Sequence, residues 1–187
     1  MPGVRMTYNL PMSLNVDGVT REIRSDYRVV LDIFEVLNDP DLEELEKTIA
    51  TLTIFYPAWH EIPCQDYQEA LEQCFWFING GQSETHRRRT KLMDWQQDFP
   101  LIIAPVNRAL GFEAREPGRY LHWWTFLAAF KEIGDCMFAQ VVHIRDKKAR
   151  GKALDKAEKE FYKNNRDLVD LRTKYSAAEK ELFRMWT

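Results

Sequence analysis

Met12, Leu14 and Val16 alternate with polar residues, Asp17-Gly18 interrupts, and Val19, Arg21 and Ile23 resume the alternation. Period two on both sides of a dipeptide that tolerates positive φ predicts a β-hairpin over about 12–24, with Val16 opposite Val19 and Met12 opposite Ile23. A lone hairpin is marginal in water, so it must lie on helices or pair with a strand of another molecule. From Ser25 the apolar spacing changes to three and four. Val30, Ile33, Phe34 and Leu37 stripe a first helix capped by Ser25 and ended by Asn38-Asp39-Pro40. Asp39 and Pro40 restart the chain as N-cap and first helical residue of a second helix, striped by Leu42, Leu45, Ile49, Leu52 and Tyr56. Pro57 and Pro63 bracket a loop holding Trp59 and His60. A third helix over 65–78 turns Leu71, Cys74, Phe75 and Ile78 inward and stops at Gly80-Gly81.

Residues 82–91 are polar, include Arg87-Arg88-Arg89, and read as a mobile loop. Trp95, Phe99, Ile102, Val106 and Leu110 stripe a fourth helix, closed by Gly111. Pro105 removes the amide that would bond to Leu101, so this helix is expected to kink or split. A fifth helix carries Leu121-His122-Trp123-Trp124-Thr125-Phe126-Leu127-Ala128-Ala129-Phe130 and ends near Gly134. It is apolar on all sides, which places it between other elements, with Trp123, Trp124, Phe126, Leu127 and Phe130 as structural core. Asp135 is expected to cap a sixth helix bearing Phe138, Val141, Val142 and Arg145. Beyond it, Leu154, Ala157, Phe161, Asn164, Leu168, Leu171, Tyr175, Ala178, Leu182 and Met185 recur at alternating three and four. That heptad pattern predicts one long C-terminal helix whose seam covers either its own domain or a partner helix.

The expected fold is therefore mainly α: a helical bundle with a small N-terminal β-hairpin and a long C-terminal helix. Residues 1–150 form the helical domain and 151–187 the heptad helix. A length of 187 residues suits one such domain. Mean hydropathy of -0.47, with no long uncharged apolar run, argues against a membrane span, and the start of the chain lacks the apolar stretch of a secretory signal. A cytoplasmic protein is expected. Three cysteines without CxxC spacing suggest neither a disulfide framework nor a zinc site; Cys74 and Cys136 read as buried hydrophobes, Cys64 as more exposed.

The order of short segments carries a family resemblance. Trp95-Gln96-Gln97-Asp98-Phe99-Pro100-Leu101-Ile102 and Asn107-Arg108-Ala109-Leu110-Gly111 precede the tryptophan pair. Phe138-Ala139-Gln140-Val141-Val142-His143-Ile144-Arg145 and Phe161-Tyr162-Lys163-Asn164-Asn165-Arg166 follow it. This set resembles the phage family usually labelled gene product fifteen, known from siphophages and prophages of Gram-positive bacteria, over about 30–186. The family is encoded in the tail-morphogenesis cluster near the tape-measure gene, among tail assembly chaperones. The resemblance implies an assembly factor working in the host bacterial cytoplasm, and it brings no catalytic motif.

Charge adds a polarity. Residues 1–64 hold 5 basic and 11 acidic side chains, whereas 145–187 hold 13 and 8, so one end is acidic and the other basic. Such ends can steer head-to-tail self-association or a charged partner, although solvated helix faces look the same. The chemistry-bearing residues are dispersed. His60, His86, His122 and His143 have no His or Cys partner at helical spacing, and His122 and His143 sit among apolar residues as core histidines. Glu43, Glu44 and Glu46 fit the first turns of a helix, and Asp94 and Asp98, beside Gln96 and Gln97, read as solvent-facing. No phosphate loop, GxSxG or HExxH is present. No enzyme activity, cofactor or metal site is expected.

The expected function is a phage tail assembly chaperone that binds the tape-measure protein, with tail-tube subunits and further copies of itself as additional partners. Leu168, Leu171, Tyr175, Leu182 and Trp186 are the expected contact residues, and Arg145, Lys148, Lys152 and Lys156 the charged contact face. Two alternatives stay open: a structural tail or connector component of the virion, and a nucleic-acid-binding regulator acting through residues 145–166, where basic residues interleave with Phe161 and Tyr162.

Overall fold

The computed structural model of the protein describes residues 9–82 and 90–173. The expected loop over 82–91, with His86 and Arg87-Arg88-Arg89, lies mostly outside these residues, as do Tyr175, Ala178, Leu182, Met185 and Trp186 of the heptad pattern. The described chain is mainly α with one two-stranded antiparallel hairpin. It divides into two compact units that alternate along the sequence: Met1–Leu37, Leu42–Glu84 and Tyr120–Phe126 in one; Asn38–Asp41, Thr85–Arg119 and Leu127–Thr187 in the other.

The first unit starts with the hairpin, β1 (Ser13–Val16) and β2 (Val19–Glu22). Val16 pairs with Val19, Leu14 with Arg21, and the Ile23 amide donates to the Met12 carbonyl at 3.1 Å. Asp17 (φ 48°) and Gly18 (φ 73°) make the tight turn that matches strand twist. Leu14, Val16 and Ile23 are buried, and the hairpin lies on α3 (Tyr67–Ile78). There the Asp17 amide donates to Glu69 at 3.1 Å.

Helix α1 (Tyr27–Leu37) buries Tyr27, Val30 and Ile33. Its cap is Asp26, whose Oδ1 accepts the Arg28 amide at 3.0 Å and whose Oδ2 accepts the Leu121 amide at 3.0 Å. Ser25, expected in that role, instead shares a 2.6 Å hydrogen bond with the Tyr120 hydroxyl. Helix α2 (Glu44–Phe55) starts five residues after the expected Asp39 cap, where the Glu46 carboxylate accepts the Glu43 amide at 2.9 Å. It packs between α1 and α3 through Leu52, Phe55 and the adjoining Tyr56, whose hydroxyl donates to the Ala70 carbonyl at 2.9 Å. Leu45 and Ile49, expected in that buried stripe, are exposed. The covered face is set by the partners α1 and α3, and only the C-terminal half of the stripe meets them.

Gly80 and Gly81 end α3 in left-handed conformation, and the Gly81 amide donates to the Trp76 carbonyl at 2.9 Å. The tryptophan pair completes that end. The Trp123 indole donates to the Ile78 carbonyl and the Trp124 indole to the Phe77 carbonyl, each at 2.8 Å. A Cβ on Gly81 would meet the Trp124 ring at 2.9 Å, so glycine is required there for contact as well as for φ. Trp123 is buried and Trp124 partly so; Phe126 stacks on Tyr27 with centroids 4.6 Å apart.

Trp123 also opens α5 (Trp123–Lys131). Its cap is His122, buried as expected: Nδ1 accepts the Trp124 amide at 3.0 Å, and Nε2 lies 3.0 Å from the Pro11 carbonyl. An acceptor at Nδ1 and a carbonyl at Nε2 fix the neutral Nε2–H tautomer. Around it, Tyr27 and Trp123 exchange backbone bonds with Leu121 and Ser25 at 2.9 and 2.8 Å.

The second unit is built on α4 (Trp95–Leu110), α6 (Met137–Ala149), α7 (Lys156–Asn164) and α8 (Arg166–Val169). Helix α4 contains Pro100 and Pro105 and stays one helix, so of the expected kink or split the split does not occur. Each proline removes only one bond, and buried Ile102 and Val106 hold the turns on either side. Its end is as expected: Gly111 at φ 78° donates to the Asn107 carbonyl at 2.8 Å. Trp95, Phe130 and Phe138 form a line of ring contacts at 5.0 and 5.8 Å. Cys136, rather than Asp135, is the N-cap of α6.

Burial lowers the His122 pKa below its ordinary 6.5, against a smaller upward pull from the Pro11 carbonyl. A folded-state pKa below the unfolded one contributes stability above the ordinary value, and that contribution is lost as pH falls through it. At pH 7.5 His122→Ala is expected to cost about 1–2 kcal/mol, as for a lost N-cap. Thermal melts should show the gap between variant and parent narrowing towards pH 5.

Candidate protein-docking surface

The basic end of the chain is organised by one buried ion pair. Asp94 caps α4, accepting the Gln97 amide at 3.1 Å, and its own amide donates to the Asp98 carboxylate at 2.9 Å. Asp98 in turn accepts both arms of the Arg145 guanidinium from α6, at 2.7 and 2.9 Å. The side chains are 1% and 5% exposed. Arg145 spends its remaining donors on the carbonyls of Leu92 (3.0 Å), Leu168 (2.7 Å) and Val169 (2.7 Å), so all five N–H groups are used. Arg145 is thus no part of a charged contact face, and Asp98 does not face solvent. A bidentate guanidinium–carboxylate fit, with three carbonyls for the remaining N–H groups, is what allows both charges to be buried.

The same region holds the chain that follows. Gln97 Nε2 donates to the Asp170 carbonyl at 3.0 Å, and Gln97 Oε1 accepts the Arg172 amide at 2.9 Å. Leu168, an expected contact residue, packs with Leu101, Leu154, Phe161 and Tyr162 on Val141, Ile144 and Val169. Leu171 is half-buried. Tyr175, Leu182 and Trp186 lie outside the described residues. The expected continuous helix is broken within the described part: α7 stops at Asn164, and Asn165 donates from both its amide and its side chain to the Phe161 carbonyl, at 3.0 and 2.9 Å. Asparagine competes for backbone groups in this way, and two in succession outweigh the heptad spacing.

Charges on the outside sort into two groups. Lys147 and His143 both bond to Glu158, whose pKa is lowered first by the Lys147 bond. His143 is exposed, not the core histidine expected from its apolar neighbours in sequence. Lys148 pairs with Asp170 and lies 3.8 Å from the Tyr162 ring centroid; Arg150 pairs with Asp146 at 2.8 Å. The second group is Lys152, Lys156, Lys159 and Lys163, all exposed and without an ion pair among the described residues. Positions 156, 159 and 163 lie on one face of α7. Of the expected charged face, Lys152 and Lys156 have no ion pair among the described residues, Lys148 is engaged, and Lys159 and Lys163 are additions.

In the first unit, α2 carries a different surface. Leu45 is 65% and Ile49 36% exposed, one helical turn apart, with Glu43, Glu44 and Glu46 around the N-terminal end of this ridge. Sequence spacing identified both residues as apolar members of a stripe but assigned them to the core. Among the described residues, no group of three or more His, Cys, Asp or Glu is placed to hold a metal ion, and no helix is long and apolar enough to cross a membrane.

Removing either member of the Asp98–Arg145 pair strands a buried charge. Asp98→Leu and Arg145→Met are each expected to cost about 3–5 kcal/mol in urea denaturation. The double variant should cost clearly less than the two summed, because the members act as one unit.

The family model described as Bacteriophage Gp15 protein aligns with residues 6–171 of the chain. No curated protein and no solved structure matches the chain. The match spans both units, from the hairpin to the segment held by Gln97 and Arg145, and the chain belongs to the Bacteriophage Gp15 protein family.

Proposed function

We propose that this phage protein is a tail assembly chaperone that binds the tape-measure protein before the tail tube polymerises, with tail-tube subunits as a further client. A tape-measure chain is long, helical and partly apolar until the tube encloses it. A chaperone for it must cover apolar stripes reversibly, through a small exposed anchor and without a chemical step. The observation that carries this reading is the α2 ridge, where Leu45 and Ile49 stand outward at the spacing that meets another amphipathic helix. Family membership, with the tail-cluster setting that the resemblance implies, supports it. The pairing of Arg145, Lys147, Lys148 and Arg150 with carboxylates of the same unit favours a protein client over a phosphate backbone, since those charges are already engaged.

Co-purification of the full chain with its phage's tape-measure protein is the direct test. Leu45→Asp/Ile49→Asp should weaken capture at least about tenfold, given about 1.5–3 kcal/mol for each apolar anchor. Retained binding by that folded variant would refute the ridge as the client site. Mass spectrometry of purified particles separates chaperone from virion component: a chaperone is absent, whereas stoichiometric incorporation would overturn the reading.

A further inference from the structure

We propose that the lysine face of α7 docks on the acidic end of α2 in a second copy of this chain, so that copies associate head to tail. Two described surfaces are complementary. On α7, Lys156, Lys159 and Lys163 share a face, are exposed, and have no ion pair among the described residues, whereas Arg145, Lys147 and Lys148 on α6 and Arg150 at its C-cap are all paired. At the start of α2, Glu43, Glu44 and Glu46 crowd one helical turn, and Glu44 is 95% exposed on its side chain, with only a 3.5 Å contact to Lys47. Leu45 stands among these acids and Ile49 one turn beyond, both exposed.

The chemistry of the occupant follows from that combination. Carboxylates around an apolar ridge call for a partner that brings cations on long aliphatic stems. Lysine covers apolar surface with its methylenes while its ammonium group reaches the rim. Three lysines at helical spacing on α7 provide this, in excess over the one exposed acid, Glu160, beside them on the helix. The surfaces differ, so the contact is heterologous: each copy offers one donor face and one acceptor face. Rim charges of this kind set association rate and salt sensitivity more than affinity. If the α2 ridge is also the client site, a point that rests on the function proposed above, client helices and further copies compete for Leu45 and Ile49.

The test uses the full chain alone, so it succeeds or fails independently of any client. Sedimentation velocity should show concentration-dependent association at low salt that weakens at least about tenfold at high salt, where the Debye length falls to about 3 Å. Lys159→Glu/Lys163→Glu should abolish it by reversing the donor face. Glu44→Lys/Leu45→Lys should abolish it by reversing the acceptor face; neither position makes the α2 cap bond. An equimolar mixture of the two variants should associate again, because the unaltered acceptor face of the first meets the unaltered donor face of the second, and the two reversed faces are complementary to each other. Circular dichroism confirms that both variants fold. A chain that is monomeric at every concentration and salt would overturn the proposal. So would association that either variant leaves unchanged, or a mixture that stays monomeric. Salt-sensitive binding of single-stranded DNA by the α7 face, with no self-association, would assign the lysines to nucleic acid instead and likewise overturn it.

Discussion

The carbonyls that end a helix have no partner inside it, and once buried they must find one elsewhere. Both units of this protein meet that demand with long side chains brought from distant sequence. In the first, the indoles of Trp123 and Trp124 reach the last carbonyls of α3. In the second, Arg145 takes the carbonyls of Leu168 and Val169 at the end of α8 while Asp98 balances its charge. A four-residue helix such as α8 has almost no stability of its own, so the guanidinium in effect defines it. The large side chains are therefore more than apolar filling: each fixes where a backbone segment stops.

What was legible in the sequence was what is local. The hairpin turn and its register follow from Asp17-Gly18 and a period-two pattern, and both are found in the structure; of the apolar face Leu14, Val16 and Ile23 are buried, while Met12 and Val19 are exposed. Gly80-Gly81 and Gly111 mark helix ends for the same reason, because φ is a property of the residue itself. Which face of α2 is covered was not legible: Leu45 and Leu52 belong to one stripe, but only contact with α1 and α3 decides which half is buried. Nor was the Asp98–Arg145 pair, whose members lie 47 positions apart and whose neighbours, Gln96 and Gln97 beside Asp98 and the lysines after Arg145, suggest solvent. Heptad spacing misled in the described part of the C-terminal region because it counts apolar positions and ignores what Asn164-Asn165 does to the backbone. Of the expected contact residues, the described ones, Leu168 and Leu171, turned inward at least in part, while the α2 ridge came from residues assigned to the core.

Electrostatic polarity survives this correction in altered form. The basic excess after residue 145 is not one uniform face: part of it builds the unit internally and part stays outside on α7. Net charge along a chain cannot separate those two uses, whereas the position of each carboxylate partner can. The surface left over is narrower than composition suggests and chemically better defined.

The contact between Gly81 and the Trp124 ring links two positions 43 residues apart in heredity as well as in space. A lineage that trades the indole for a smaller ring gains space over residue 81, yet its positive φ still rejects branched side chains. Change should therefore begin at 124 and reach 81 only afterwards, if at all. An alignment of relatives would record that order as an asymmetry: glycine kept beside many aromatics, and the bulky indole never seen above anything larger than glycine.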